Sequence, residues 1–297
     1  MMQALVKADP IGFIGLGVMG QGMALCLRRA GYTVHVYARR DDAAQPVVAA
    51  GAQRAASATD VGRACRLVFL CLSDDVAVEQ VLFGQQGLAA GLASGSCVVD
   101  TSTIAATSAR DFARRLGERG VVFLDAPISG GQQGAESGTL ACMIGGRTEA
   151  VDACREVMVA FCKTVTHVGE VGAGQTVKAC NQVAVAGAML GVADAIALAK
   201  SQGVDPRVMR EVLLGGTARS FAMEKHGQRI LDGDFKPGFR ARLMRKDLRI
   251  ALETARAGGA QLQVAALTER LVGELCESGR AEMDWNSVAQ VVQEKKA

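Results

Sequence analysis

Two hydrophobic rhythms divide the chain. In its first half, short runs of apolar and β-branched residues alternate with longer stretches whose apolar positions recur at helical spacing. Residues 11–15, 33–38, 68–72, 98–100, 121–125, 140–144 and 164–168 read as strands, and 19–30, 107–119 and 148–161 as helices between them. Several of the strands are apolar at nearly every position, the pattern of a parallel strand covered on both faces. Strand and helix in alternation predict a doubly wound parallel sheet.

Beyond Gly174 no strand pattern remains. Residues 177–201 read as one long helix rich in small side chains, and 207–214, 223–231, 243–257, 264–277 and 286–295 follow with helical periodicity. Gly203, Gly215, Gly216, Pro237, Gly258 and Gly259 punctuate them. The expected organisation is α/β, with a doubly wound sheet over residues 1–171 and an all-α domain over 172–297, joined by the long helix.

Composition narrows what such a chain does. Hydrophobic residues make up 49% and aromatics only 4%, with 35 glycines, so the core is one of Ala, Val and Leu packed closely. That hydrophobicity excludes disorder. A net charge of +3 gives no electrostatic reason to expect nucleic acid or an anionic membrane as partner. The most apolar stretch, 183–193, stops at Asp194 and is too short to span a bilayer, and residues 1–10 lack the apolar segment of a signal peptide. Nine cysteines, an odd number without C-x-x-C spacing, point to neither a disulfide framework nor a zinc site. A reducing cytoplasm is the expected location. His35, His167 and His226 stand apart from any Cys or carboxylate partner, so no metal site or Ser-His-Asp triad is expected.

The chemistry begins at Gly15-Leu16-Gly17-Val18-Met19-Gly20, a G-x-G-x-x-G between a strand and a helix. The first glycine allows the tight turn, the second lets a pyrophosphate approach the backbone, and the third lets helix and strand pack closely. The amide groups opening the helix face the phosphates. This context makes the first domain a Rossmann dinucleotide-binding domain. At the end of the second strand, where an acid would hold the ribose hydroxyl of NAD, stand Arg39 and Arg40. Two guanidiniums suit the 2′-phosphate of NADP. Asp41 and Asp42 follow directly and would serve NAD if the strand ran further, so the expected cofactor is NADP, with NAD as the alternative.

With these residues in view, the chain resembles the β-hydroxyacid dehydrogenase family from Ile11 onward. Gly12-Phe13-Ile14-Gly15-Leu16-Gly17-Val18-Met19-Gly20 is similar to the family's opening signature, and Asp125-Ala126-Pro127-Ile128-Ser129-Gly130-Gly131 to its substrate loop. Gly138-Thr139-Leu140 and Met143-Ile144-Gly145-Gly146 resemble the strand that comes next. Gly172-Ala173-Gly174-Gln175-Thr176-Val177-Lys178-Ala179-Cys180-Asn181-Gln182 is similar to the catalytic segment. Phe235-Lys236-Pro237-Gly238-Phe239 and Lys246-Asp247-Leu248 match two later motifs.

The resemblance implies an oxidoreductase that moves a hydride between NAD(P)(H) and a small β-hydroxy acid or its semialdehyde. It implies Lys178 as general acid and base, with Asn181 orienting the lysine or substrate and Gln182 contacting the substrate. Lys178, Asn181 and Gln182, at i, i+3 and i+4, share one helix face. A lysine removed from solvent loses part of its preference for the charged form, which suits proton transfer. Ser129, Gly130 and Gly131 would cup a substrate carboxylate, and Phe239 would wall it. Leu72, Ser73, Thr103 and Lys246 fall at positions where the family meets its cofactor, although Ser73 stands where relatives have proline. Trp285, where relatives have His, is expected to affect C-terminal packing or a subunit contact. A homodimer or homotetramer is expected because the small-residue helix calls for burial on all sides. Two other functions remain open: a nucleotide-binding regulatory protein without catalysis, and an imine reductase on the same scaffold. Joint retention of Lys178, Asn181 and Ser129 argues against the first, and Lys178 against the second.

Overall fold

The computed structural model describes residues 9–294, so most of the leading stretch read as lacking a signal segment, and the last residue of the final expected helix, lie outside it. The chain gathers into two compact units that divide between Lys178 and Ala179.

The first unit is built on one sheet of nine strands: β1 (Ile11–Ile14), β2 (Val34–Tyr37), β3 (Gln53–Arg54), β4 (Leu67–Leu70), β5 (Cys97–Asp100), β6 (Val122–Asp125), β7 (Ile128–Ser129), β8 (Leu140–Gly145) and β9 (Cys162–Gly169). They lie in the order β3-β2-β1-β4-β5-β6-β8-β7, with β9 also paired to β8. From β1 to β6 every pairing is parallel. Helices α1 (Val18–Arg29), α2 (Asp41–Ala49), α3 (Ala58–Ala64), α4 (Asp75–Phe83) and α5 (Ala106–Gly117) make the crossovers. Alternate residues of the central strands enter two separate cores. Leu67, Phe69, Cys97 and Val99 join one, and Val68, Leu70 and Val98 the other. This burial on both faces is why these strands carry continuous apolar runs.

The sheet is mixed and not wholly parallel, which corrects the expectation for its far edge. β8 runs antiparallel to both β6 and β7 and parallel to β9. Pro127, which has no N–H to give a ladder, interrupts the line between β6 and β7. The return from β7 to β8 then contains only the short helix α6 (Gly131–Ser137). A parallel return needs a crossover of roughly a dozen residues or more. A further helix, α7 (Thr148–Met158), joins β8 to β9.

Helix α8 (Ala173–Ser201) starts before the expected position 177. Its first turn is tied to the sheet by Asp125, whose two carboxyl oxygens accept from the backbone N–H groups of Gly172 (2.7 Å) and Gln175 (2.8 Å). These bonds tie the first turn of α8 to the sheet, and the two compact units divide between Lys178 and Ala179, within the helix expected to join the two domains. By length and composition α8, at 29 residues and with a window of mean hydropathy 1.7, is long and apolar enough to cross a membrane. Of that window 44% is buried within the structure, as in a core helix. From Ala179 onward the helix supplies the core of the second unit, where Ala186, Met189, Val192, Ala193 and Ile196 are buried.

The second unit is helical: the rest of α8, then α9 (Pro206–Leu214), α10 (Gly227–Leu231), α11 (Ala241–Ala257), α12 (Gln263–Leu275) and α13 (Val288–Glu294). Its single tryptophan, Trp285, is buried with Met244, Leu248, Val272, Leu275 and Val288, and its backbone N–H donates to Phe239 O at 2.9 Å. This is the packing role expected of it. All nine cysteines are free; Cys180 on α8 is exposed, Cys71 and Cys276 are half-buried and the others are buried. No cluster of metal-ligating side chains occurs among the described residues.

Because Trp285 is the sole tryptophan, its emission reports the second unit. Native emission should lie at short wavelength, resist acrylamide quenching, and shift red when urea unfolds that unit. Trp285→Ala should lower the unit's stability by about 3–5 kcal/mol, as truncation of a buried aromatic does. A loss under about 1 kcal/mol in circular dichroism of urea unfolding would contradict the packing described.

Candidate active site

The glycine loop is shaped around a space. Gly15 has φ +97°, and a β-carbon there would come within 2.2 Å of Cys71 O. A β-carbon on Gly20 would stand 1.9 Å from Gly15 O, so strand and helix approach here only without side chains. Above Gly17 nothing lies within 4 Å. Gly17 is also the N-cap of α1, with no side-chain cap and no acid in the first turn. The opening amides of α1 thus face an open approach with the helix dipole uncontested. A dinucleotide pyrophosphate fits such a cradle. Leu16 is buried, Val18 is exposed, and Met19 packs partly against the sheet core.

Strand β2 ends at Tyr37, so the acids do not reach the strand end. Ala38 follows, then Arg39 and Arg40, both exposed. Asp41 and Asp42 open α2 instead: Asp41 pairs with Arg54, and Asp42 lies 3.4 Å from Arg40. The bond to Arg54 holds the Asp41 carboxyl below the usual carboxylate range. An acid for the ribose hydroxyl is therefore absent from the strand terminus, whereas two guanidiniums stand next to it.

At the ends of the central strands lies a hydrogen-bonded layer that the sequence reading did not single out. Leu72 N–H donates to Ser102 Oγ (2.8 Å), and Ser102 N–H donates to Asp100 Oδ1 (3.0 Å). Ser73 Oγ donates to Asp74 Oδ2, and Asp74 caps α4 through Ala77 N–H. The Gln175 carboxamide donates to Ser102 O (2.8 Å) and accepts from Ile104 N–H (3.1 Å), so it bonds on either side of Thr103. Asp100 and Asp125 end adjacent strands in register and are both fully buried. Asp100 Oδ2 has no hydrogen-bond partner among the described residues. Burial, with Asp125 and Asp75 adding repulsion, pushes the Asp100 carboxyl up to about 7 against the pull of Ser102. Burial likewise raises Asp125, while the N–H groups of Gly172 and Gln175 pull it down. Neither acid was given a role from sequence, because nothing beside a strand-ending aspartate shows that it is buried.

Ser129 closes β7 and Gly131 opens α6, so the expected loop is shorter and more ordered than a free turn. Gly130 (φ +137°) makes the bend between them. Ser129 Oγ makes no hydrogen bond among the described residues and is half-buried. Lys178, only 7% exposed, is the last residue of the first unit and lies one turn beyond Gln175 on α8.

In the second unit, Asn181 Nδ2 donates to Gln182 Oε1 (2.8 Å), and buried Gln182 donates to Asp247 Oδ2 (2.6 Å). The bonds that Gln182 makes here are thus to its neighbour and to α11. Lys246 Nζ lies 3.0 Å from Asp247 Oδ1. Of the basic run, Arg240 and Arg242 pair with Glu282, and Arg245 and Arg249 with Glu269. Buried Asp284 holds the segment before α11, accepting from Gly238 N–H (2.8 Å) and Phe239 N–H (2.9 Å). Asp284 is the residue that fixes Phe239, and it was not singled out from the sequence.

Comparison with known proteins agrees with this layout. Residues 10–169 match the family model described as the NAD-binding domain of 6-phosphogluconate dehydrogenase, and 172–292 the one described as NAD-binding of NADP-dependent 3-hydroxyisobutyrate dehydrogenase. The chain is 36% identical to 2-hydroxy-3-oxopropionate reductase of Escherichia coli (strain K12), over 95% of this chain and 97% of the relative. It is 37% identical to NAD-dependent L-serine dehydrogenase of Pseudomonas aeruginosa, with the same coverage of 95% and 97%. Among solved structures, 3-hydroxyisobutyrate dehydrogenase of Mycobacterium tuberculosis with L-serine superposes with TM-score 0.88 at 29% identity, covering 96% of this chain and 99% of that one. Psf3 in complex with NADP+ and 2-OPP gives TM-score 0.87 at 30% identity, covering 95% and 99%. An imine reductase from Pseudomonas sp., at 20% identity and TM-score 0.62 over 96% and 99%, shares the fold alone.

Asp100 makes stability depend on pH. Its folded pKa of about 7 exceeds the unfolded value near 3.9, so the folded state holds the proton more tightly. The stabilisation is complete below about pH 4 and is lost as pH rises through about 7. Asp100→Asn keeps an acceptor for Ser102 N–H and removes the charge. Its Tm should exceed the parent's at about pH 8 and converge with it near pH 5. A Tm difference independent of pH would show that Asp100 does not titrate in this range.

Proposed function

The chain belongs to the β-hydroxyacid dehydrogenase family and is an NAD(P)-dependent oxidoreductase of hydroxy acids; within that family we propose that it interconverts a small carboxylate semialdehyde and its β-hydroxy acid, with NADP(H) preferred. The observation that carries the reading is Lys178, a buried lysine placed after the glycine-rich start of α8. When bound, the cofactor supplies or accepts the hydride at the substrate carbon.

Everything else falls to the chain. The amides at the start of α1 and the open face of Gly17 receive the pyrophosphate. Arg39 and Arg40 hold the 2′-phosphate by charge-assisted bonds, supported by the absence of an acid at the end of β2. Leu72, Ser73 and Thr103 line the cofactor toward its reactive end. Ser129 Oγ and the backbone of Gly130 and Gly131 take the substrate carboxylate, for which the L-serine bound by a relative is the guide. Lys178 Nζ gives a proton to the carbonyl oxygen during reduction and takes it from the hydroxyl during oxidation. Asn181, Gln182, Phe239 and Lys246 are assigned to substrate and cofactor by resemblance. The Gln182–Asp247 bond favours Gln182 as a holder of Asn181.

A homodimer or homotetramer in a reducing cytoplasm completes the reading. Exposed Leu198, Val204, Val208, Val212, Phe221, Val264 and Leu267 on the second unit support association, and nine free thiols support the compartment. Light scattering of the purified chain should give a mass above the monomer; a monomer at micromolar concentration argues against association.

NADPH oxidation should be seen with at least one of tartronate semialdehyde, succinic semialdehyde and glyoxylate, and Lys178→Ala should cut kcat by at least about 100-fold. Retained turnover in that variant removes the lysine from the chemistry. No turnover on any small hydroxy acid or semialdehyde by the parent would favour a binding-only protein. Arg39→Ala combined with Arg40→Ala should raise KM for NADPH about 10-fold or more and leave KM for NADH nearly unchanged. Equal effects on the two would overturn the preference.

A further inference from the structure

We propose that Gln175 is a positioning residue that joins the Thr103 segment to the start of the lysine-bearing helix. This rests on the reading of Thr103 beside the reactive end of the cofactor and of Lys178 as the proton-transfer group. The structure gives Gln175 no freedom to do otherwise. It is 2% exposed, and its side-chain amide pairs with two peptide groups, donating to Ser102 O and accepting from Ile104 N–H. Those groups flank Thr103, so the carboxamide replaces a neighbouring strand for a single residue. This sets the backbone of Thr103 and with it the direction of its side chain.

The same residue is anchored from behind. Gln175 N–H donates to Asp125 Oδ2, and Gly172 N–H to Asp125 Oδ1. A β-carbon on Gly174 would lie 2.7 Å from Asp125 O and 2.9 Å from Oδ2, so the chain is stripped of side chain where the carboxyl group docks. The segment 102–104 is fastened in turn to Leu72 by Ser102 Oγ and to Asp100 by Ser102 N–H. Residues 72, 102–104 and 172–175 therefore form one rigid layer within the first unit, and Lys178 stands one helical turn beyond it. The position calls for a donor to Ser102 O and an acceptor for Ile104 N–H, which an amide supplies at every pH. Methionine fills a similar volume and meets neither.

The test compares the full-length parent with Gln175→Met, Gln175→Glu and Lys178→Ala. Steady-state turnover uses NADPH with the panel member that turns over, and fluorescence anisotropy tracks bound NADPH. For Gln175→Met, kcat should fall about 10- to 100-fold, the cost of a misplaced reacting group, while KM and the Kd for NADPH change less than about threefold. The anisotropy of the bound reduced nicotinamide should also fall. Gln175→Glu supplies a rescue with a sign. As a neutral acid it donates O–H to Ser102 O and accepts from Ile104 N–H, but as a carboxylate it faces the Ser102 carbonyl with negative charge. Its kcat relative to the parent should rise several-fold as pH falls from about 8 to about 6, because the charged groups around it are common to both proteins: Asp100 with Asp75 beside it, and Asp125 with the Arg110 guanidinium that lowers it.

If Gln175→Met keeps kcat within about threefold and the anisotropy is unchanged, Gln175 does not position Thr103, whatever Lys178→Ala shows. A loss confined to Tm, with kcat per folded molecule retained, also overturns the inference. If Lys178→Ala stays active while both Gln175 variants are impaired as described, the lysine reading fails and the positioning role of Gln175 stands. Should no panel member turn over, the anisotropy of bound NADPH decides by itself.

Discussion

A carboxyl group taken out of water holds this fold in register. Asp125 ends a strand in the middle of the sheet and spends both oxygens on the N–H groups that open α8. An unpaired buried carboxylate is strongly disfavoured, so the helix start and the strand end require each other. The first-turn amides need acceptors, and the helix dipole favours a negative group at that end. The proline, glycine and amide residues around it are explained by that contact: Pro127 breaks the strand beyond Asp125, Gly174 leaves room for the carboxyl group, and Gln175 carries the contact to the neighbouring strand end. The position of Lys178 along α8 derives from this junction, not from the glycine loop that announces the cofactor.

The parts legible from sequence were those with local signatures. Strands apolar at every position, the G-x-G-x-x-G and the long small-residue helix need no knowledge of distant partners, and each is present at or within a few residues of its expected place. Short elements were not legible. β3 and β7 have two residues each, and α3 and α6 seven, lengths at which hydrophobic periodicity has no cycle to complete. α3 and α4 could have been found from their caps, since Ser57 and Asp74 each accept from the N–H three residues on. The reversal at β8 could have been found from Pro127 and from the short connection between Ser129 and Leu140.

The polar layer under the site was illegible for a different reason. Asp100, Asp125, Gln175 and Asp284 act on residues between two and seventy-three positions away, and nothing beside them in sequence shows that they are buried. The candidate residues named from motifs divide accordingly. Gly17 and Ser129 leave open the groups their roles need, whereas Gln182 and Lys246 spend polar groups on Asp247. Motifs mark which positions matter but not whether a side chain faces a ligand or a neighbour.

The distribution of thiols bears on how this enzyme should be interrogated chemically. Burial pushes the Cys65 and Cys71 thiols up to about 12, and the neighbouring thiols of Cys154 and Cys162, with burial added, raise Cys97 and Cys142 above an ordinary cysteine, so all four are poor nucleophiles. The exposed Cys180 stands two residues from Lys178 on the same helix. A maleimide or iodoacetamide would therefore select the helix that carries the lysine, on a face turned away from it, since residues two apart on a helix do not share a face. Cys180 is thus a ready anchor for a spectroscopic label on the back of that helix.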